Sequence, residues 1–390
     1  MKHLTGVVKD YAWGSPTAIP QILGTAANGS PQAEYWLGAH PLAPSRADGL
    51  ALDALIADRP ELLGAECRER FGGRLPFLMK ILAAERQLSL QAHPSRAQAE
   101  AGFAEEDAAG IPRDHPMRTY RDNWPKPELL CALGPFEALY GFRAPGESFA
   151  LFEQLDLVEV TTMVAPLHRP EDAAEAIRSV CVSFLHLPHG GLVDAVVAVA
   201  GTYVDAAGPL GLFARTAVQL AEQCPGDPGI LVALLMNRTT LQRFEALYVP
   251  AGLLHAYLHG TGIEVMATSD NVVRGGLTAK HVDVDALASV VDFRPHEPLL
   301  VRHEEVAPGL WHYDTPAPEF GVWRTDGLTG PVELPATGRA RIVLAVEGSL
   351  RIDTDQGPVD LPQGGAILFA AHERATIDGT GTAFIAAPGV

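Results

Sequence analysis

Apolar and polar residues alternate through Leu88-Ser89-Leu90-Gln91-Ala92-His93. In an extended chain this puts Ser89, Gln91 and His93 on one face and the apolar residues on the other. Pro94 ends the segment, and Ser95 stands where an N-cap would open a helix over 94–110. The pattern predicts two strands over 75–93, another over 128–142, and a helical stretch over 51–72 with Pro60 near a helix start. From about Pro170 to Cys224 the spacing becomes helical, with Ala-rich faces in "RPEDAAEAIRSVCVSFL", "LVDAVVAVAGTYV" and "GLFARTAVQLAEQC". Strands return at "FEALYVPAGLLHAYLHGTGIEVMATS". From about 300 the chain reads as short strands turning on Gly, Asp and Pro. The expected fold is mainly β with a helical insert. A row of hydroxyl, amide and imidazole on one face then poses a choice: a solvated outer surface, or a wet internal cavity.

The chain has 390 residues, of which 47% are hydrophobic, so two or three domains are expected. The net charge of −18 argues against nucleic acid or an anionic membrane as a partner. An anionic small molecule would need local Arg or Lys. Four scattered cysteines without a CxxC suit free thiols in a reducing compartment. The N-terminus lacks a signal-peptide apolar run, and the apolar run "GGLVDAVVAVAG" is short and holds Asp194. The expectation is a cytoplasmic protein, monomeric or weakly oligomeric.

Three segments carry candidate chemistry. In "YVPAGLLHAYLHG", Pro250, Gly252 and His255 have the Pro-x-Gly-x-x-His spacing that resembles the second motif of cupin barrels, with Tyr257 on the face of His255. In "YRDNWPKPELLCAL", Pro127 favours an extended Lys126, so Lys126 and Glu128 share a face. A surface Lys–Glu pair is the plainer reading. Gln91, His93, Glu128 and His255 together offer an amide oxygen, two imidazoles and a carboxylate, a donor set that suits Zn²⁺ with a position left open. In "GIEVMATSDNVVRGGLTAKHVDV", Arg274 and Lys280 flank a glycine pair that permits close backbone approach.

These blocks, with "YAWGS" at 11–15, "AEYWLGAHPLAPS" at 33–45 and "LPFLMKILAAERQLSLQAHP" at 75–94, resemble type I phosphomannose isomerases over most of the chain. The resemblance implies one zinc ion on Gln91, His93, Glu128 and His255, and an essential arginine at Arg274. It also implies pocket residues Ser89, Lys126, Glu264, Tyr257 and Lys280. The chemistry needs a proton shuttle as well, for which Lys126, Glu264 and a zinc-bound water are the candidates. The implied fold is a cupin (jelly-roll) catalytic barrel over 1–150 plus 226–300, a helical insert over 151–225, and a second cupin-like barrel over 301–390. The implied reaction interconverts mannose 6-phosphate and fructose 6-phosphate through a cis-enediol. Three departures stand out: Pro125 where the family has histidine, Ala279 where it has proline, and Arg243-Phe244 where it has Pro-Gly. Alternatives are isomerisation of another sugar or sugar phosphate, a metal-dependent cupin oxygenase, or an inactive sugar-binding cupin.

Overall fold

The computed structural model describes residues 1–298 and 300–389. Two antiparallel β-systems share an apolar core, and a helical region between Phe142 and Met236 interrupts the first and packs on it. In the first, strands run in the order Met236–Leu241, Phe136–Phe142, His255–Ala267, Phe77–Ala84, Glu34–Gly38, Val7–Lys9. Strand His255–Ala267 is its spine. Its first half pairs with Phe136–Phe142 and Gln91–Ala92, and its second half with Phe77–Ala84 and Glu128–Ala132. Phe77–Ala84 and Glu128–Ala132 are buried along their whole length. Both faces of those strands are therefore covered, which explains their nearly unbroken apolar runs.

Gln98 closes a capping box on Ser95, which starts the helix Arg96–Ala108. The stretch 51–72 is not one helix. Pro60 and Gly64 divide it into Leu52–Asp58, a 3-10 turn Pro60–Leu63, and Ala65–Phe71. The second strand expected over 75–93 shrinks to Gln91–Ala92, and Ser89 lies on irregular backbone ahead of it. Short helices fill the middle of the chain, including Ala173–Leu185, Leu192–Ala200 and Gly208–Gln223. Asp172 caps the first of these by accepting from the Ala174 and Glu175 N–H groups. Their apolar faces share one core with Leu90, Leu139, Leu254 and Leu258 of the first β-system.

The second β-system is built on Arg341–Thr354 and Ala375–Ala387, which are long rather than short. A register shift between Ala345 and Glu347 and the left-handed Gly348 let one continuous strand bend while it stays paired. This sheet also takes in Lys2–Thr5, which pairs with Ala366–Phe369, and then Arg46–Ala47. Among the described residues, no helix is long and apolar enough to cross a membrane.

Candidate active site

Strand register assembles the site. On the spine, His255 stands opposite Gln91, and Gln91 stands opposite Arg274 on its other side. Further along, Glu264 stands opposite Lys80, which stands opposite Trp36. Glu128 enters from a third strand, paired with Val249 and Met266. The Pro250–Gly252 turn delivers His255 as expected; Gly252 has φ +81° and its N–H donates to the His93 carbonyl at 2.8 Å.

His93, Glu128 and His255 are buried and present their ligand atoms within 4.8 Å of one another. His93 Nε2 lies 3.2 Å from Glu128 Oε1, and His255 Nε2 lies 3.4 Å from Glu128 Oε2. The Gln91 amide is 3.3 Å from His255 Nε2, and a half-turn of that amide presents its oxygen instead. The far side of each ring fixes its tautomer. His93 Nδ1 donates to the Asn271 carbonyl at 2.8 Å, and His255 Nδ1 to the Leu253 carbonyl at 3.1 Å. In the neutral rings both Nε2 lone pairs therefore face a carboxylate. Burial, then the Lys126 ammonium, pushes His93 down to about 4, which keeps it neutral at pH 7. Burial alone would raise Glu128, but Lys126 and the imidazoles outweigh it and hold the carboxyl well below its usual range.

Lone pairs aimed at an anion, with His93 Nε2 and Glu128 Oε2 lacking hydrogen-bond partners among the described residues, need a cation between them. Ligand atoms ~2.0–2.1 Å from one tetrahedral ion sit roughly 3.3 Å apart. The 3.2, 3.4 and 3.3 Å separations meet that condition.

This group lies beside a cavity of about 430 Å³, whose wall includes Gln91 and Glu128. Ser89, Lys126, Tyr257, Glu264, Arg274 and Lys280 line it too, so every residue singled out from the sequence converges here. The polar face of the 88–93 segment thus looks into an internal cavity, not outward. Lys126 and Glu128 are no surface pair either: they are 8% and 1% exposed and 3.0 Å apart. The Tyr257 hydroxyl is buried without a hydrogen-bond partner among the described residues, and burial, then Glu264 and Glu128, pushes it well above its ordinary value.

Sequence reasoning missed part of the wall. Lys80 bridges Glu264 at 2.9 Å and Glu34 at 3.5 Å, and Glu34 accepts from the Trp36 indole at 2.6 Å. Burial would lower Lys80, but Glu264 and Glu34 raise it above its ordinary value; burial raises Glu264 against the pull of Lys80. His40 Nδ1 accepts from the Leu42 N–H, which leaves Nε2–H to face Asp270 Oδ1 at 3.3 Å. A lone lysine inside the otherwise apolar "FLMKILAA" was the available signal for Lys80. Arg121, on irregular backbone, had none. The lining holds seven Lys or Arg against four Asp or Glu, so a chain of net charge −18 still offers an anion a locally positive cavity.

Fold and site define a β-rich protein with a buried histidine–carboxylate metal centre beside a cationic cavity. A model of the catalytic domain of type I phosphomannose isomerase matches residues 1–145. The chain is 34% identical over 391 residues to mannose-6-phosphate isomerase of Escherichia coli (strain K12), covering 98% of each chain. It is 30% identical over 409 residues to the Homo sapiens enzyme of that name, covering 96% of this chain and 94% of the human one. The apo form of mannose 6-phosphate isomerase from Salmonella typhimurium superposes with a TM-score of 0.90 at 32% identity, over 100% of this chain and 99% of that one. A zinc-bound mannose 6-phosphate isomerase gives 0.89 at 32%, with the same coverage. The chain belongs to the type I phosphomannose isomerase family.

Proposed function

We infer that this protein is a zinc-dependent aldose–ketose isomerase that interconverts mannose 6-phosphate and fructose 6-phosphate. The observation that carries the reading is the pair of imidazole lone pairs fixed on Glu128 beside a cationic cavity. Gln91, His93, Glu128 and His255 would hold the zinc. When bound, the ion supplies Lewis-acid polarisation of substrate oxygen without redox chemistry.

In the open-chain sugar the C2 proton leaves while the C1 carbonyl oxygen gains one, giving the enediol. The O2 proton then leaves, C1 takes a proton, and no electron leaves the substrate. Glu264 and Lys126 are proposed to carry these protons. Burial raises the Glu264 carboxyl against the pull of Lys80, which makes its carboxylate a stronger base than an exposed one. Arg274 is proposed to steady the developing enediolate charge, with Ser89 and the Tyr257 hydroxyl binding sugar hydroxyls and Lys280 attracting the phosphate. Each β-system is proposed to close as a cupin-type barrel. The catalytic one would span 1–150 plus 226–300, the helical insert 151–225 and the second barrel 301–390, with strands Lys2–Thr5 and Arg46–Ala47 lent to the second.

The test is a coupled assay over hexose and pentose phosphates, before and after metal removal. Mannose 6-phosphate should turn over, stop with chelator and recover with Zn²⁺. No turnover by zinc-loaded protein, or turnover indifferent to metal removal, overturns the reading.

A further inference from the structure

Arg121, Arg274 and Lys280 line one stretch of the cavity, and among the described residues none of them forms an ion pair. Of the other cations lining the cavity, Lys80 is paired with Glu264 and Glu34, Lys126 with Glu128, and Arg118 with Glu106 and Asp107, while Lys9 lies over the Trp36 ring at 4.5 Å. After burial, repulsion from Arg274 and then from Arg121 lowers Lys280, as expected of like charges held close. Unpaired cations gathered on a cavity wall cost energy unless an anion arrives.

The backbone under Arg121 is built to hold it there. Its N–H donates to Asn271 Oδ1 at 2.8 Å. Asn271, fully buried, also donates through Nδ2 to the carbonyls of Asp122 at 2.7 Å and Trp124 at 2.9 Å. The Asp122 carboxylate in turn accepts from the Asp270 N–H at 2.8 Å and the Ser269 hydroxyl at 2.9 Å. Asn271 offers its own carbonyl to His93. One buried amide thus fixes Arg121 in register with the metal end of the cavity.

We propose that Arg121 is a specificity-determining residue that, with Lys280, clamps the substrate's terminal phosphate and so selects phosphorylated over free sugars. The proposal rests on the sugar-phosphate reading of this cavity. A guanidinium suits a phosphate because its donors form a planar fork.

The test compares the zinc-loaded wild type with Arg121→Gln. Arg121 is exposed, so the fold should persist, and Arg121→Lys supplies a second variant. Calorimetric titration with inorganic phosphate should show affinity about 10-fold weaker in Arg121→Gln, the low end for a charge-assisted contact at an exposed site. KM for mannose 6-phosphate should rise by a similar factor with a much smaller change in kcat, and Arg121→Lys should fall between. Turnover of unphosphorylated mannose should change far less. Unaltered phosphate affinity, or equal losses on mannose and mannose 6-phosphate, overturns the proposal. A wild type that binds phosphate but does not turn over mannose 6-phosphate overturns the isomerase reading instead, while the titration still decides the role of Arg121.

Discussion

Removing the buried ammonium of Lys80 gives a stability loss whose size and pH dependence both follow from its contacts. In Lys80→Met, Glu264 and Glu34 lose a cation 2.9 Å and 3.5 Å away. At an effective dielectric of ~20 those attractions are about 6 and about 5 kcal/mol. The stranded carboxylates escape most of that loss by taking up a proton. Protonating one carboxyl of ordinary pKa 4.5 at pH 7 costs about 3 kcal/mol, at about 1.4 kcal/mol per unit. The loss at pH 7 should therefore be ~3–5 kcal/mol, the range for breaking a buried pair from one side. The folded variant then holds a proton that the unfolded chain releases above pH 4.5, so the variant loses stability relative to wild type as pH rises. Urea unfolding of both proteins at pH 5, 6, 7 and 8 should show the gap widening by roughly 1.4 kcal/mol per unit. A gap that is flat with pH, or below about 1 kcal/mol at pH 7, would refute the claim that Lys80 neutralises the two carboxylates.

Three further substitutions probe the site. His255→Ala should lose bound zinc and activity while keeping most of the fold, because the surrounding core is apolar in its own right; one zinc per chain with near-normal turnover would refute the ligand assignment. Arg274→Lys should lose at least ~10²-fold in turnover with zinc content and Tm near wild type, since an ammonium lacks the planar fork; a wild-type rate would move the role to Lys126 or Lys280. Pro125→His should give no gain for either anomer in stopped-flow assays. Pro125 joins the anchored Trp124 carbonyl to Lys126, so its role is to shape that connection; a clear gain for one anomer would show that a proton-transfer group is missing there.

What the sequence revealed, and what it hid, divides along a physical line. His255 was legible because a tight turn needs Gly252 at positive φ, which leaves a fixed spacing in the chain. His93 and Gln91 were legible because alternation survives in a segment whose two faces meet different surroundings. Lys80 and Glu34 escaped because their strands are buried on both faces, and there periodicity carries no information. Their meaning appears only in the register that sets Glu264 against Lys80 across 184 residues of chain. The seating of Lys2–Thr5 in the C-terminal sheet is hidden for the same reason: pairing partners are chosen by tertiary packing, not by local pattern. Arg121 is the extreme case. It lies on irregular, polar backbone, and its place depends on Asn271, which is 150 residues away and reads locally as an ordinary turn residue. The candidate metal ligands, Arg274 and Lys280 were therefore readable as motifs, whereas Arg121, which joins those two as an unpaired cation, emerged only from the folded chain. A sequence that keeps the four proposed ligands but replaces Arg121 or Asn271 should still bind zinc while losing affinity for phosphate. Zinc content and phosphate titration measured together on Asn271→Ala would separate these two layers of the site. Loss of both at once would show that the Asn271 side chain also holds its own backbone carbonyl in place under His93.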